Sequence, residues 1–278
     1  YEDLVVTGEL MATTIFKNQI NTFKKVNQTG VENLLGWWES IIKTDIDNDG
    51  DIDFIVGNIG ANNWYQPSNE RPVTIIAKDF DNNGTIDPVM FAYFKDSFLN
   101  PTYNSFPVNF WGELNGQSPI FRAKYNTFKS YSRATISNLF NEDELKGSTK
   151  LIGNYDKSII MENLGNGTFK YSPLPTDAQV SPINGMAVVD YNNDQKEDIL
   201  LVGNNFGNEV FIGRYDAFNG GLLKNNSNGN YEYIPTSESG FLVPGDAKSI
   251  ITVNSAKSNY PYFIASQNRD SIRVFQKK

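Results

Sequence analysis

Asp45-Ile46-Asp47-Asn48-Asp49-Gly50-Asp51-Ile52-Asp53, running into the apolar stretch Phe54-Ile55-Val56-Gly57, decides how this chain is read. Acidic side chains at loop positions 1, 3, 5 and 9 (Asp45, Asp47, Asp49 and Asp53) can turn together onto one hard cation. Gly50 at position 6 supplies the sharp turn, and Asp51 at position 7 can offer its backbone carbonyl. So many carboxylates in one short loop repel one another unless a cation offsets them. An all-oxygen donor set of this kind predicts calcium.

The register recurs twice. Asp79, Asp81, Asn83 and Asp87 repeat it around Gly84, with Thr85 at the carbonyl position. Asp190, Asn192, Asp194 and Asp198 repeat it with Lys196 at the carbonyl position and Gln195 where glycine stood. Gln195 must therefore adopt a backbone shape that glycine prefers. An EF-hand would need a bidentate Glu at position 12 and flanking helices, whereas position 12 here is Val56, Met90 and Leu201. A single loop of Asp, Asn and Gly is also what a solvated turn looks like. Three in one register, each feeding a short β-type run, favour metal loops set in β-hairpins.

Repeated loops of this kind, running into a strand that ends in Gly-Asn, resemble the FG-GAP/VCBS repeats of β-propellers, the blade type of integrin α-subunits. The tails Val56-Gly57-Asn58-Ile59-Gly60 and Val202-Gly203-Asn204-Asn205 fit the pattern, as does Asn163-Leu164-Gly165-Asn166-Gly167-Thr168-Phe169. The order of features is also similar to that of large VCBS-repeat surface proteins of Bacteroidota. The resemblance covers nearly the whole chain and implies an all-β fold, a β-propeller with calcium-binding hairpin loops. It does not specify a ligand or an activity, because propellers carry many functions.

The chain of 278 residues carries a net charge of −8 and contains no cysteine. That length suits one large β domain. The acidic balance argues against a nucleic-acid partner, which would call for a basic face. The absence of cysteine excludes a disulfide framework, and no apolar run is long enough to span a membrane. Calcium loops work where calcium is plentiful, which places the expected location outside the cell or on a bacterial outer-membrane surface. Tyr1-Glu2-Asp3-Leu4-Val5-Val6 parallels Asp51-Ile52-Asp53-Phe54-Ile55-Val56. On that reading Asp3 is the last ligand of a loop that begins upstream, and the chain is a fragment of a longer protein.

Read in chain order, the strands group into blade equivalents at about 1–30, 31–78, 79–175, 176–236 and 237–278. The stretch 97–146 departs from the pattern. Its apolar residues recur at helical spacing (Phe121, Tyr125, Phe128; Ile136, Leu139, Phe140), which predicts a helical insertion between strands of a blade.

Catalysis is narrowed by what is absent. Without His or Cys there is no Ser-His-Asp triad, no thiolate nucleophile and no His-ligated zinc, and no catalytic residue is assigned. Tyr, Arg and Lys remain, and Gly213-Arg214-Tyr215-Asp216 is where a propeller-type polysaccharide lyase or hydrolase would be sought. Some propeller lyases use Tyr or Arg in this way. Trp64, Tyr65 and Trp111 lie on non-strand segments and are the candidates for stacking on a sugar or anchoring a protein partner. Trp37 and Trp38 open the strand-like run Trp37-Trp38-Glu39-Ser40-Ile41-Ile42 and, as strand-borne residues, are expected in the core. The expectation is a non-catalytic surface module that binds a glycan or a protein, within an outer-membrane assembly.

Overall fold

Each acidic loop joins two antiparallel strands. In the computed structural model, which describes residues 1–226 and 229–277, Ser40–Thr44 pairs with Asp53–Gly57 across the first loop. Val73–Lys78 pairs with Asp87–Lys95 across the second, and Ile183–Val189 with Asp198–Gly203 across the third. The register is the same in all three: the residue before position 1 faces position 9, as Thr44↔Asp53, Lys78↔Asp87 and Val189↔Asp198. Among the described residues the fold is all-β, with twenty strands in six antiparallel sheets and a few short helices. The expected last grouping, 237–278, ends on Lys278, which lies outside the described residues.

The chain divides into two units, residues 1–66 with 156–278, and residues 67–155. In the first unit one four-stranded sheet runs Phe169–Pro173, Ile159–Asn163, Asp53–Gly57, Ser40–Thr44. A second runs Ile183–Val189, Asp198–Gly203, Gly221–Asn225, Tyr231–Ile234, and a three-stranded sheet runs Ala247–Val253, Tyr262–Gln267, Arg273–Gln276. Leu4–Val6, Thr14–Asn18 and Phe23–Lys25 form another three-stranded sheet, and Glu9–Met11 pairs with Gly36–Trp37. The edge strands Ser40–Thr44 and Ala247–Val253 each pack beside Ile183–Val189. Ser40 Oγ donates to the Ile183 carbonyl at 2.6 Å, and Asn184 Nδ2 to the Ala247 carbonyl at 2.8 Å.

Asp198–Gly203 explains how the sheets stack. Side chains of a strand alternate between faces, and here both faces are buried. Ile199 and Leu201 enter a core shared with Ile55, Ile160 and Ile183, while Leu200 and Val202 enter one shared with Ile250, Phe263 and Ala265. The strand is consequently a continuous apolar run rather than an alternating one. Glycines set the approach of neighbouring sheets: a Cβ on Gly57 would lie 2.4 Å from the Ile183 carbonyl oxygen, and one on Gly203 1.9 Å from that of Pro182.

The second unit is one sheet, ordered Tyr103–Pro107, Asp87–Lys95, Val73–Lys78, Thr149–Gly153. Five short helices between Trp111 and Leu145 connect Tyr103–Pro107 to Thr149–Gly153. Leu114, Phe121 and Leu139 from these helices, with Phe140 just after one of them, form a core with Ile76, Val89 and Phe91 of the sheet. The helices fall inside the 97–146 stretch, which also contains the strand Tyr103–Pro107.

Pairing departs from the chain-order grouping of 31–78 and 79–175. Ile159–Asn163 and Phe169–Pro173 complete the sheet of the first loop, with Ile159 opposite Val56, and not that of the second. Val73–Lys78 belongs with the second loop instead of closing the sheet of the first. Residues 67–155 are thus inserted between two hydrogen-bonded strands of one sheet. Apolar runs mark where strands are, but the partner of a strand is a non-local choice that such runs do not encode.

Candidate functional site

The three loops share one hydrogen-bond scheme. The carboxylate at position 1 accepts from the backbone N–H groups of positions 5 and 6: Asp45 from Asp49 and Gly50, Asp79 from Asn83 and Gly84, Asp190 from Asp194 and Gln195, at 2.8–3.2 Å. The side chain at position 5 accepts from the N–H of position 7, that is Asp51, Thr85 and Lys196. Position 9 turns back to accept the N–H of position 2, Asp53 from Ile46, Asp87 from Phe80 and Asp198 from Tyr191. Backbone shape repeats as well. Positions 4 and 6 have positive φ throughout: +61° and +89° at Asn48 and Gly50, +57° and +89° at Asn82 and Gly84, +64° and +67° at Asn193 and Gln195. Asn is the non-glycine residue best suited to that conformation, and position 4 is Asn in every loop, a signal that reading for ligands alone passes over.

Position 2 anchors each loop. Ile46 is fully buried in a core of the first unit, Phe80 is buried in that of the second, and Tyr191 packs against the other core of the first. The ninth-position aspartates are at most 1% exposed. Burial pushes the carboxyls of Asp53, Asp87 and Asp198 up from the usual range, backbone N–H donors oppose it, and the neighbouring loop carboxylates add to it. A bound cation would reverse that balance.

Two carboxylate triads are close enough to share an ion, Asp45 with Asp47 and Asp49, and Asp79 with Asp81 and Asp87; within each, ligand oxygens lie within 4.8 Å of one another. In the second triad Asp87 Oδ1 is buried and has no hydrogen-bond partner among the described residues. The corresponding oxygens of Asp53 and Asp198 accept the N–H of Asn163 and Asn225 from the adjacent strand, at 2.7 and 2.8 Å. A buried acceptor without a donor, on a carboxylate grouped with two others, is what a cation would satisfy. The third loop is partly offset by side chains: Lys196 Nζ is 3.9 Å from Asp194, and Lys277 donates to the Asp190 carbonyl and to Asn193 Oδ1.

Asp3 is exposed, and its Oδ1 accepts the Asn18 N–H at 2.8 Å while Asn18 Nδ2 donates to the Glu2 carbonyl. Asp53 and Asn163 do the same, with Asn163 Nδ2 on the Ile52 carbonyl. This one pair of hydrogen bonds recurs at Asp3, but the burial of the ninth-position aspartates does not.

The aromatic candidates separate. Trp64 is 57% exposed and stands over a cleft of about 290 Å³ lined also by Asn62, Arg214, Tyr215 and Asp216. Trp64 and the residues Arg214-Tyr215-Asp216, singled out separately in the sequence, meet at this one place. Tyr65 turns inward and stacks on Trp37 at 6.3 Å between ring centroids, and its phenol is pushed up to about 12 by burial and by Tyr215. Arg214 lies over the Phe206 ring at 4.9 Å. Asn63, buried behind the cleft, donates to Gly60 and to Asp156 and accepts from the Tyr65 and Gln66 N–H groups, which fixes the loop bearing Trp64. Trp111 belongs to the second unit; its indole N–H is held by the Tyr125 carbonyl at 2.7 Å and its ring lies 4.5 Å from that of Phe128. Trp37 and Trp38 are both buried, as expected, although Trp38 lies between the strands Gly36–Trp37 and Ser40–Thr44, with its indole N–H on the Met11 carbonyl.

Sequence reading missed the clamps in the Gly-Asn tails. Asn58 and Asn204 are fully buried. Asn58 Oδ1 accepts from the Trp37 and Ile59 N–H groups, and Asn204 bridges Phe218 to Gly245. No described protein family and no curated protein matches this chain. No helix among the described residues is long and apolar enough to cross a membrane.

Proposed function

We propose that this chain is a calcium-stabilised, non-catalytic binding module of the FG-GAP/VCBS β-propeller type, displayed on a bacterial outer surface, where it takes part in a membrane-associated assembly and recognises a glycan or a protein partner. The observation that carries the metal reading is the common loop geometry, with one carboxylate oxygen, Asp87 Oδ1, buried and unpartnered. Calcium fits because every side-chain donor in the loops is an oxygen, which suits a hard cation. The side-by-side edge strands of successive sheets in the first unit support the propeller reading, since blades meet through their inner strands.

The cleft beneath Trp64 supports binding. An exposed indole beside Asn62, Arg214 and Asp216 offers an apolar face ringed by hydrogen-bonding groups, the combination that a sugar ring or a polar peptide presents in complement. A lyase would act in the same cleft. Burial raises the Tyr215 phenol, however, and a catalytic base at neutral pH needs the opposite shift.

Chelation tests the metal and a binding screen tests the cleft. Calcium at a hundredfold excess over Kd contributes about 2.7 kcal/mol per site, so excess chelator should lower the melting temperature by several degrees; an unchanged melt removes calcium as a structural cofactor. A glycan array and a pull-down, each run in calcium and in chelator, should retain a ligand that Trp64→Ala releases. Retention that ignores Trp64→Ala places recognition elsewhere.

A further inference from the structure

The second loop differs from the other two in how it is held. Its ninth residue, Asp87, lacks the strand N–H that fixes Asp53 and Asp198. Its third residue is tied instead: Ser118 Oγ donates to Asp81 Oδ2 at 2.8 Å, while Asp81 Oδ1 accepts the Asn83 N–H. Among the described residues Asp47, the third residue of the first loop, has no such donor, and Asn192 of the third loop bonds only within its own loop. Ser118 is fully buried at the junction of the helices Trp111–Gln117 and Pro119–Lys124. Its backbone N–H closes the first of them on Leu114, but its hydroxyl caps neither helix and is committed to Asp81. The contact is reinforced on both sides. Phe80, at position 2, stacks on Phe140 at 4.5 Å and meets Phe121 edge-on at 5.7 Å, and Gln117 Nε2 donates to the Pro88 carbonyl just past position 9.

We propose that Ser118 is a positioning residue for the cation of the second loop, so that metal binding at Asp79, Asp81 and Asp87 and the packing of the helical segment 111–145 are one coupled equilibrium. The proposal rests on the calcium reading of the loops. A ligand carboxylate held by an outer hydrogen bond is pre-aimed and pays less ordering entropy on binding, and loss of such partners weakens metal sites about 10- to 100-fold. Linkage makes the effect reciprocal: whatever Ser118 adds to cation affinity, the cation returns as protection of the segment that carries Ser118. In the first and third loops the adjacent strand does the equivalent work, so their cations should leave the helices indifferent.

Hydrogen exchange read by mass spectrometry on the whole chain, titrated with calcium, separates the outcomes. In the wild type, amides of 79–87 and of 111–145 should gain protection with the same calcium midpoint. In Ser118→Ala the midpoint for 79–87 should rise by roughly tenfold, with that for 45–53 unmoved as the internal control. Asp87→Asn keeps an acceptor for the Phe80 N–H while weakening the site, and should leave protection of 111–145 independent of calcium; this variant reads the coupling even if Ser118→Ala folds poorly. Protection of 111–145 that follows calcium in Asp87→Asn as it does in the wild type would overturn the proposal. Wild-type protein whose three loops all ignore calcium would instead overturn the reading on which the proposal rests.

Discussion

At Gly50 and Gly84 a Cβ would meet nothing within 4 Å, so the only reason for glycine there is its φ of +89°. Left-handed backbone costs an L-residue about 1–2 kcal/mol; Gly50→Ala should destabilise by that amount, and Gln195→Gly, which relieves the same strain at φ +67°, should stabilise by up to about 1 kcal/mol. Urea midpoints in saturating calcium measure both, and a neutral Gln195→Gly would mean that the side chain of Gln195 compensates its backbone. Asn204 makes a different demand. Its amide serves backbone groups that water cannot reach, so Asn204→Ala leaves them unpaired, at about 1–3 kcal/mol for each stranded group. Asp156 supplies a pH test outside the acidic loops. Burial raises its carboxyl, and the Asn63 amide and Lys157 only partly oppose this. The folded state therefore holds the proton more tightly than the unfolded chain does, and stability from this group falls as pH rises from the ordinary value near 3.8 through the raised folded value. Asp156→Asn keeps an acceptor for Asn63 and removes the charge; its stability relative to wild type should be more favourable at about pH 7 than at about pH 4.

At the scale of elements, the loops and their hairpins were legible because each is specified locally. Asp at 1 and 9, Asn at 4 and Gly at 6 dictate turn shape and backbone satisfaction within nine residues, and the next strand follows directly. Gln195 was legible as the misfit for the same reason. The partner of each strand was not legible. Ile159–Asn163 is as apolar as Val73–Lys78, and nothing local says which of them lies beside Asp53–Gly57. Ser118 was invisible on the same grounds, since a serine between two short helices reads as a cap until the fold sets it against Asp81. Within the second unit, the aromatic cluster that joins loop to helices should dominate local stability. Phe140 touches Phe80, Phe91 and Phe121, so Phe140→Ala should cost about 3–5 kcal/mol. That loss should appear as faster exchange within 67–155 and leave the strand Asp198–Gly203 protected.

For the whole molecule, the consequential feature is that residues 67–155 interrupt a sheet of the other unit and have a core of their own. Asp53–Gly57 and Ile159–Asn163 are hydrogen-bonded neighbours, so the chain must leave and re-enter the first unit at nearby points. The ends are in fact tied together there. The Gly60 N–H donates to the Asp156 carbonyl at 2.8 Å and Asn63 Nδ2 to Asp156 Oδ2 at 2.8 Å, so the exit and return are fixed by the first unit's own residues. Insertions between such closely held points are tolerated because closing the connection costs little chain entropy. The reverse operation should be tolerated too. Joining Gln66 to Asp156 through a short Gly-Ser linker should give a chain that retains β-type circular dichroism, unfolds cooperatively and keeps the Trp64 cleft, all of whose lining lies in the first unit. On the proposed calcium reading of the loops, stoichiometry should fall by one, since the second loop is removed while the first and third remain. A product that is soluble but lacks cooperative unfolding would show that the sheet of the first loop depends on the inserted unit. Retained ligand binding by the shortened chain would assign recognition to the first unit.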